Sequence, residues 1–390
     1  MICICRDEEM TTLNDICSLI TDGSHFSPED EGAGYPMLSV KDMDDDHFNT
    51  SDCKHVGETA FQKLVANGCK PQVNDVVVAK DGSYLKTAFS IKEEQDIALL
   101  SSIAILRPKL DMVVPDYLSY FLKSDSVYRT VSLNYISGTA LKRIILKGIK
   151  KIPVELPPIK EQQFRINLLN SLQVIIKQRG QELQKLDDLI KARFVELFMG
   201  KDYPLIALDE LALGKGEYGA QSASIEYDPS RPRYVRITDI NDDGTLNDDV
   251  VSSSNISDDE QYRLSYGDFL FARMGATVGK TYAYKGGNQI YAGYLIRYRL
   301  NLEKVMPEYL YAYTKLDEYK NWVVLNQSGA AQPGINAKKY GSLQIPVAPL
   351  EEQKAFEDFC KQVDKSKVAA QKALDEAQLL FDSLMQKYFG

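Results

Sequence analysis

The chain has 390 residues, 44% apolar, 26% charged and 10% aromatic, with a formal net charge of −9. That length exceeds what one hydrophobic core usually fills, so two or more domains are expected. No run of about 18 apolar residues offers a membrane span, the MICICRDEEM start lacks the basic-then-apolar order of a secretory signal, and the acidic balance disfavours unspecific coating of nucleic acid, although a local basic face is still allowed.

The six cysteines, Cys3, Cys5, Cys17, Cys53, Cys69 and Cys360, contain no C-x-x-C pair. Reduced thiols in a cytoplasm are therefore expected. Cys53, His55 and Cys69 are metal-ligating types, but their spacing fits no common zinc pattern, and no metal is expected.

Taken in chain order, the first feature is NDVVVAKDGSYLKT, Asn74 to Thr87. It reads as an Asp, a four-residue buried strand, a cation and a Gly-bearing loop. VPDYLSYFL, Val114 to Leu122, follows, with Pro115 at the start of a helix. A Ser-Gly loop, Ser137 to Ala140, then leads to a short strand ending in Ile-Pro and to the junction KKIPVELPPIKEQ.

All three landmarks recur in the same order. GDFLFARMGATVGKT (Gly267 to Thr281), MPEYLYAYT (Met306 to Thr314) and LQIPVAPLEEQ (Leu343 to Gln353) stand 193, 192 and 191 residues after their partners. A near-constant offset across three ordered patterns indicates a duplicated unit of about 190 residues. Each unit is a mixed α/β globular segment followed by a long helix.

The helices are read from a 4-3 alternation. Leu172, Ile176, Arg179, Leu183, Leu186, Ile190, Arg193 and Leu197 form one seam; Phe356, Cys360, Val363, Lys367, Ala370, Leu374, Ala377, Phe381, Leu384 and Tyr388 form the other. At 1.5 Å per residue each helix spans ~60 Å. Such a stripe needs cover. The economical cover is the other helix, antiparallel, with the two globular segments at opposite ends. The alternatives are that each helix packs on its own segment, or that chains self-associate.

Catalytic chemistry has no duplicated candidate. His25, His47 and His55 all fall in the first repeat. GATVGKT has three residues, not four, between its first Gly and Gly-Lys-Thr, and the following YAYKGG reads as strand and turn, so no phosphate loop is expected. What does repeat is a cation-Gly-polar loop. Lys80, Gly82, Ser83 and Lys86 form one copy, and Arg273, Gly275, Thr277 and Lys280 the other. Glycine lets the backbone approach a ligand closely, and cations, hydroxyls and amides suit phosphates and base edges. The same logic adds Ser137, Gly138, Thr139, Lys142 and Arg143 to the first repeat, and Arg231, Arg233, Gln327, Ser328, Gly329, Gln332 and Lys338 to the second.

The junctions carry a specific resemblance. Leu156 to Gly200, with Pro-Pro-apolar-x-Glu-Gln and the close Leu-x-x-Leu-Ile-Lys-x-Arg-Phe-x-Glu-Leu-Phe, resembles the central conserved region of the specificity subunit of type I restriction–modification systems. Ala348 to Phe359 is similar to its distal region, and GDFLFARMGATVGKT and SGTALK to its recognition loops. The resemblance implies an α+β protein with two target-recognition domains in tandem, separated by two long helices that form an antiparallel coiled coil with pseudo-two-fold symmetry. On this chain the parts fall at 1–156, 157–200, 201–347 and 348–390. It further implies a non-catalytic, cytoplasmic chain that reads a bipartite target in double-stranded DNA. Two methyltransferase subunits dock on the helices and motor-endonuclease subunits join; S-adenosylmethionine, ATP and Mg serve those partners, and this chain binds no cofactor. Coiled-coil or docking positions are Leu172, Ile176, Leu183, Leu186, Ile190, Leu197, Phe356, Val363, Leu374, Phe381 and Leu384. Two departures stand out: the second helix ends SLMQKYFG without the Arg-Phe-x-Glu-x-Phe close, and the second repeat has Ser-Gly-Ala for Ser-Gly-Thr. The competing reading is a coiled-coil interaction scaffold without DNA readout.

Overall fold

Strands without a polar residue must be covered on both faces, and the two apolar runs of the repeat are the middles of two sheets. A computed structural model describes residues 11–82, 84–137, 143–248, 251–256, 259–328 and 333–390. Two compact units result: residues through Gln178 together with Leu374–Gly390, and Arg179–Ala373.

In the first unit β1 (Cys17–Asp22), β2 (Val76–Ala79), β3 (Ala88–Ser90) and β4 (Ile103–Pro108) form an antiparallel sheet in the order β1-β4-β2-β3. In the second, β5 (Glu217–Tyr218), β6 (Asp268–Ala272), β7 (Thr281–Ala283) and β8 (Leu295–Arg299) repeat that order as β5-β8-β6-β7, again antiparallel. Alternation then sorts the side chains. Val76 and Val78 join one core with Tyr117 and Leu118; Val77 and Ala79 join another with Phe89 and Ile103. Phe269 and Phe271 against Leu270 and Ala272 divide in the same way. Each such buried Val, Leu, Ile or Phe side chain contributes roughly 1.5–3 kcal/mol.

The Asp that opens each strand is buried: its carboxylate accepts from the backbone three residues earlier, Gln72 N–H to Asp75 and Ser265 N–H to Asp268, both at 2.8 Å. Arg107 adds a fork to Asp75 at 2.8 and 2.9 Å. Burial pushes the Asp268 carboxyl up.

The proline-led helices form as the sequence indicates, α1 at Pro115–Leu122 and α2 at Pro307–Tyr313. The first Ile-Pro, however, does not close a strand. Pro153 makes one bridge with Thr12, whereas the second, Gln344–Pro346, pairs in full with Leu205–Ala207.

The long helices run Ile159–Phe198 and Leu350–Phe389. A buried glutamine ties each one to its globular part. Gln162 Oε1 accepts from Val114 N–H at 2.9 Å, and its Nε2 donates to Met112 O and Pro157 O at 3.0 and 2.8 Å. Gln353 does the same with Met306 N–H, Lys304 O and Ala348 O at 2.9, 3.0 and 2.8 Å. Val114 and Met306 precede the helix-opening prolines, so each amide sets a long helix against a proline-led one.

All residues of both expected seams are buried or half-buried, while those between them, such as Lys177, Gln178, Gln184 and Lys185, are exposed. Within the first unit Ile166 and Leu169 share a core with Phe389, whose ring lies 5.0 Å from Tyr117, and Arg165 stacks on Tyr388 at 4.8 Å. Within the second, Phe194 and Phe198 meet Phe356 at 5.5 and 5.6 Å and Tyr309 at 5.0 and 4.9 Å. The start of one helix thus meets the end of the other in each unit, which makes them antiparallel there. The helix ends also pack on the globular parts, so the two arrangements treated as alternatives coexist. Phe389 takes the place that the missing Arg-Phe close leaves: it meets Tyr117 as Phe198 meets Tyr309.

Replacing Gln353 by Ala strands one buried N–H and two carbonyls. Loss of at least one such group costs about 1–3 kcal/mol. Urea unfolding of Gln353→Ala, and separately of Gln162→Ala, is expected to show a lower midpoint at unchanged slope; a loss under about 0.5 kcal/mol would contradict the clamp.

Candidate nucleic-acid interface

The repeated cation-Gly loop leaves the end of the central strand in both sheets, and the same main-chain bonds hold it. Lys80 N–H donates to Ser102 O at 3.0 Å and Arg273 N–H to Tyr294 O at 3.0 Å. Lys80 O accepts from Ile144 N–H and Arg273 O from Ile335 N–H, both at 2.9 Å. Ile144 and Ile335 come after the Ser-Gly motifs in sequence, so the segment that follows each motif is tied to the cation of the same repeat. Asp81 bridges Arg143, and Met274 bridges Gly334.

Side chains at this shared frame differ. In the first unit Lys80 is buried and its Nζ lies 2.8 Å from Asp22 Oδ2, with both side chains about a tenth exposed. The sequence points to Lys80 as an open cation; the structure corrects this, because the Asp22 carboxylate neutralises it. Arg143 is half-exposed and 3.8 Å from Asp81. Gly82, at φ +65, and Lys86 are exposed. The loop between them is anchored by buried Tyr84, whose ring stacks on Tyr128 at 5.3 Å, and by buried Leu85, held in the left-handed region at φ +61.

In the second unit the guanidinium of Arg273 lies 4.8 Å from the Tyr218 ring and 6.0 Å from the Tyr294 ring. Its Nε is buried without a hydrogen-bond partner. Among the described residues no carboxylate lies within ion-pair reach of it. Asp22 and Tyr218 are equivalent positions: each faces its partner strand at Ala104 or Ile296, 192 residues apart. Gly23 and Gly219 come next, and each passes so close to a carbonyl (Leu99 O or Ala292 O) that a Cβ would stand 2.1 or 2.3 Å away. A side chain at either glycine would displace Asp22 or Tyr218.

Beyond Arg273, Gly275 turns at φ +71 with open space around it, and Thr277 Oγ1 donates to Met274 O at 3.2 Å. Lys280 pairs with Asp242 at 2.7 Å. Two phenols support this loop from below: Tyr340 donates to Ala272 O at 2.8 Å and Tyr319 to Gly279 O at 2.9 Å. Burial pushes both phenols well up, so they stay neutral donors. Ser328 and Lys338 are exposed and Gln327 half-buried nearby in sequence. Arg231 is exposed and donates to Ser254 O at 3.0 Å, and Arg233, half-buried, pairs with Asp248 at 2.6 Å. Ser83, Gly138, Thr139, Lys142, Gly329 and Gln332 lie outside the described residues, as does the side chain of Ser137. Tyr294 was missed in the sequence, although Gly293-Tyr294 stands at the 192-residue offset from the Ser101-Ser102 pair.

Among the described residues no group of three metal-ligating side chains exists, and no helix is long and apolar enough to cross a membrane. A unit built twice, offering different side chains on one frame, is a duplicated recognition protein. Residues 6–185 and 212–377 match the family model for the type I restriction modification DNA specificity domain, and the chain belongs to that family. It is 22% identical over 391 residues to a Methanocaldococcus jannaschii chain described as a type I restriction enzyme MjaX specificity subunit, covering 92% of this chain and 87% of that one. It is 21% identical to the StySPI type I restriction enzyme specificity subunit of Salmonella potsdam, covering 91% and 81%. Its fold matches the crystal structure of the type I restriction–modification S subunit from M. genitalium at a TM-score of 0.58, with 14% identity and 99% and 98% of the chains covered.

Breaking a buried ion pair costs roughly 3–5 kcal/mol, whereas an exposed cation–π contact is worth about 0.5–1. Asp22→Ala is therefore expected to destabilise the protein to chemical denaturation several times more than Tyr218→Ala. Equal losses would show that the two positions are not held in these different ways.

Proposed function

We propose that the chain is the DNA-reading subunit of a type I restriction–modification complex and performs no catalytic step itself. The observation that carries this reading is the pair of loops with identical main-chain anchoring and different cations: one frame reads two different half-targets. Each unit takes one half of a bipartite double-stranded site, through Lys86, Arg143 and the Ser137 loop in the first, and through Arg273, Gly275, Thr277, Lys280 and Lys338 in the second.

The long helices serve as the docking frame for two methyltransferase subunits, and motor-endonuclease subunits join that assembly. Their seam residues, Leu172 to Leu197 and Phe356 to Leu384, face covered ground. The apolar side chains open to a partner are others: Phe164, Val174, Ile175, Leu379 and Leu380 in the first unit, Leu189, Val195 and Val368 in the second. S-adenosylmethionine, ATP and Mg belong to the partners' adenine methylation and restriction, which take place in the cytoplasm.

The test is co-expression with the methyltransferase subunit of its own system, followed by methylome sequencing and duplex binding. A methylated adenine in each half of one interrupted motif is expected, with the logarithm of the binding constant falling linearly against the logarithm of salt. Complex formation without any sequence-selective shift would leave a scaffold and overturn the reading.

A further inference from the structure

We propose that Arg273 reads a guanine in the half-target of the second unit, with Tyr218 and Tyr294 as its positioning residues. This rests on the DNA-reading function proposed above. The guanidinium is placed from three directions: its own backbone is tied to Tyr294 O and Ile335 N–H, the Tyr218 ring lies at 4.8 Å, and the Tyr294 ring lies at 6.0 Å. Tyr218 is itself fixed, since its hydroxyl accepts from Ala337 N–H at 3.2 Å. Both rings are about half-exposed, so the cluster opens to solvent rather than into the core.

Donors of this arginine are not used up inside the protein. Among the described residues no hydrogen bond or ion pair engages its guanidinium; Nε is buried, which leaves the two terminal nitrogens as the fork that can face a ligand. A planar fork held in a fixed orientation suits a ligand with two acceptors side by side. In the major groove only guanine offers that, as N7 and O6; adenine offers an acceptor beside a donor, thymine one acceptor and cytosine a donor.

A phosphate also offers two acceptors, but the comparison of the two copies decides against it. Phosphates are the same whatever the sequence, so a phosphate contact would keep its charge in both units. At this position the charge is not kept: Lys80 is neutralised by Asp22, whereas Arg273 rests on Tyr218 at the equivalent place. A site whose chemistry changes while its backbone frame stays the same is a site that reads sequence.

The experiment uses the full chain in complex with its methyltransferase, and selects binding sites from duplexes randomised in one half at a time. Wild type is expected to select a G·C pair at one or more positions of the half-target read by the second unit. Arg273→Ala should relax selection at one of those pairs by about tenfold to a hundredfold and leave the other half untouched. Arg273→Lys keeps the charge but loses the fork, so it should lose the same selectivity while retaining overall affinity. Tyr218→Leu and Tyr294→Leu should relax that same pair more weakly, with thermal melting of each variant checked against wild type. A uniform loss across all sequences, with a salt slope reduced by about one, would assign Arg273 to a phosphate and overturn the proposal. So would selection of no guanine in that half. Selection of no sequence by the wild-type complex would bring down the DNA-reading function as well.

Discussion

Two buried amides decide how this chain is put together. A helix of 40 residues has no reason of its own to hold one angle to the domain it leaves. Gln162 and Gln353 supply that reason, because each carries both an acceptor and a two-proton donor and sits in a site wholly out of water. The acceptor is fixed by the N–H before the proline of α1 or α2, and the donors by two carbonyls on either side of the junction. A hydrogen bond contributes only about 0.5–1.5 kcal/mol net, but leaving its buried partner unpaired costs more. The interaction therefore works chiefly by penalising every other docking angle. Glutamate could accept but not donate to two carbonyls, and asparagine is one methylene short, so the Glu-Gln junction has a physical reason to repeat.

With the angle set, the rest of each unit follows. The proline-led helix lies beside the sheet and presents Tyr117 or Tyr309 to the end of a long helix. The helix that starts in one unit ends in the other: residues 179–198 of the first long helix and 374–390 of the second belong to the unit opposite their start. Phe198 and Phe389 are the plugs, each nearly free of solvent. Each unit's core is completed by a helix end from the other repeat. Between those ends Lys367, itself a seam residue, pairs with Asp187 of the first long helix.

Much of this was legible because it is periodic. The strands VVVA and FLFA, the proline starts and the 4-3 seams depend on local pattern, and the offset of about 190 residues made each copy a check on the other. The loops showed their frame but not their chemistry. Lys80 and Arg273 look interchangeable in sequence, both a cation after four apolar residues. What separates them is a residue some 55 positions upstream in each repeat, Asp22 or Tyr218, brought alongside only by strand pairing with β4 or β8. No local pattern marks such a neighbour. The partners of Arg231 and Arg233 were hidden for the same reason: Asp228, Asp248 and Ser254 are supplied by turns and a short strand pair. The second helix's ending misled in the other direction: SLMQKYFG lacks the sequence of the first close, yet Phe389 restores its contact.

Duplication explains why this division between legible frame and illegible chemistry exists at all. After a unit is copied, changes that disturb the glutamine clamp, the Asp caps of the central strands or the Gly23 and Gly219 close approaches damage both folding and assembly. Such changes are opposed in both copies alike. At the edge where β1 or β5 and the cation loop meet, the side chain is freer to change, because the main-chain bonds of Lys80 and Arg273 do not involve it. An Asp can stand there in one copy and a Tyr in the other while the matching main-chain bonds of Lys80 and Arg273 are kept. The free position is therefore the one next to the cation, and its identity sets whether that cation is neutralised within the protein or left with donors for something outside it. A frame that fixes the backbone and frees this one neighbour lets the two recognition units differ while the fold that carries them stays the same.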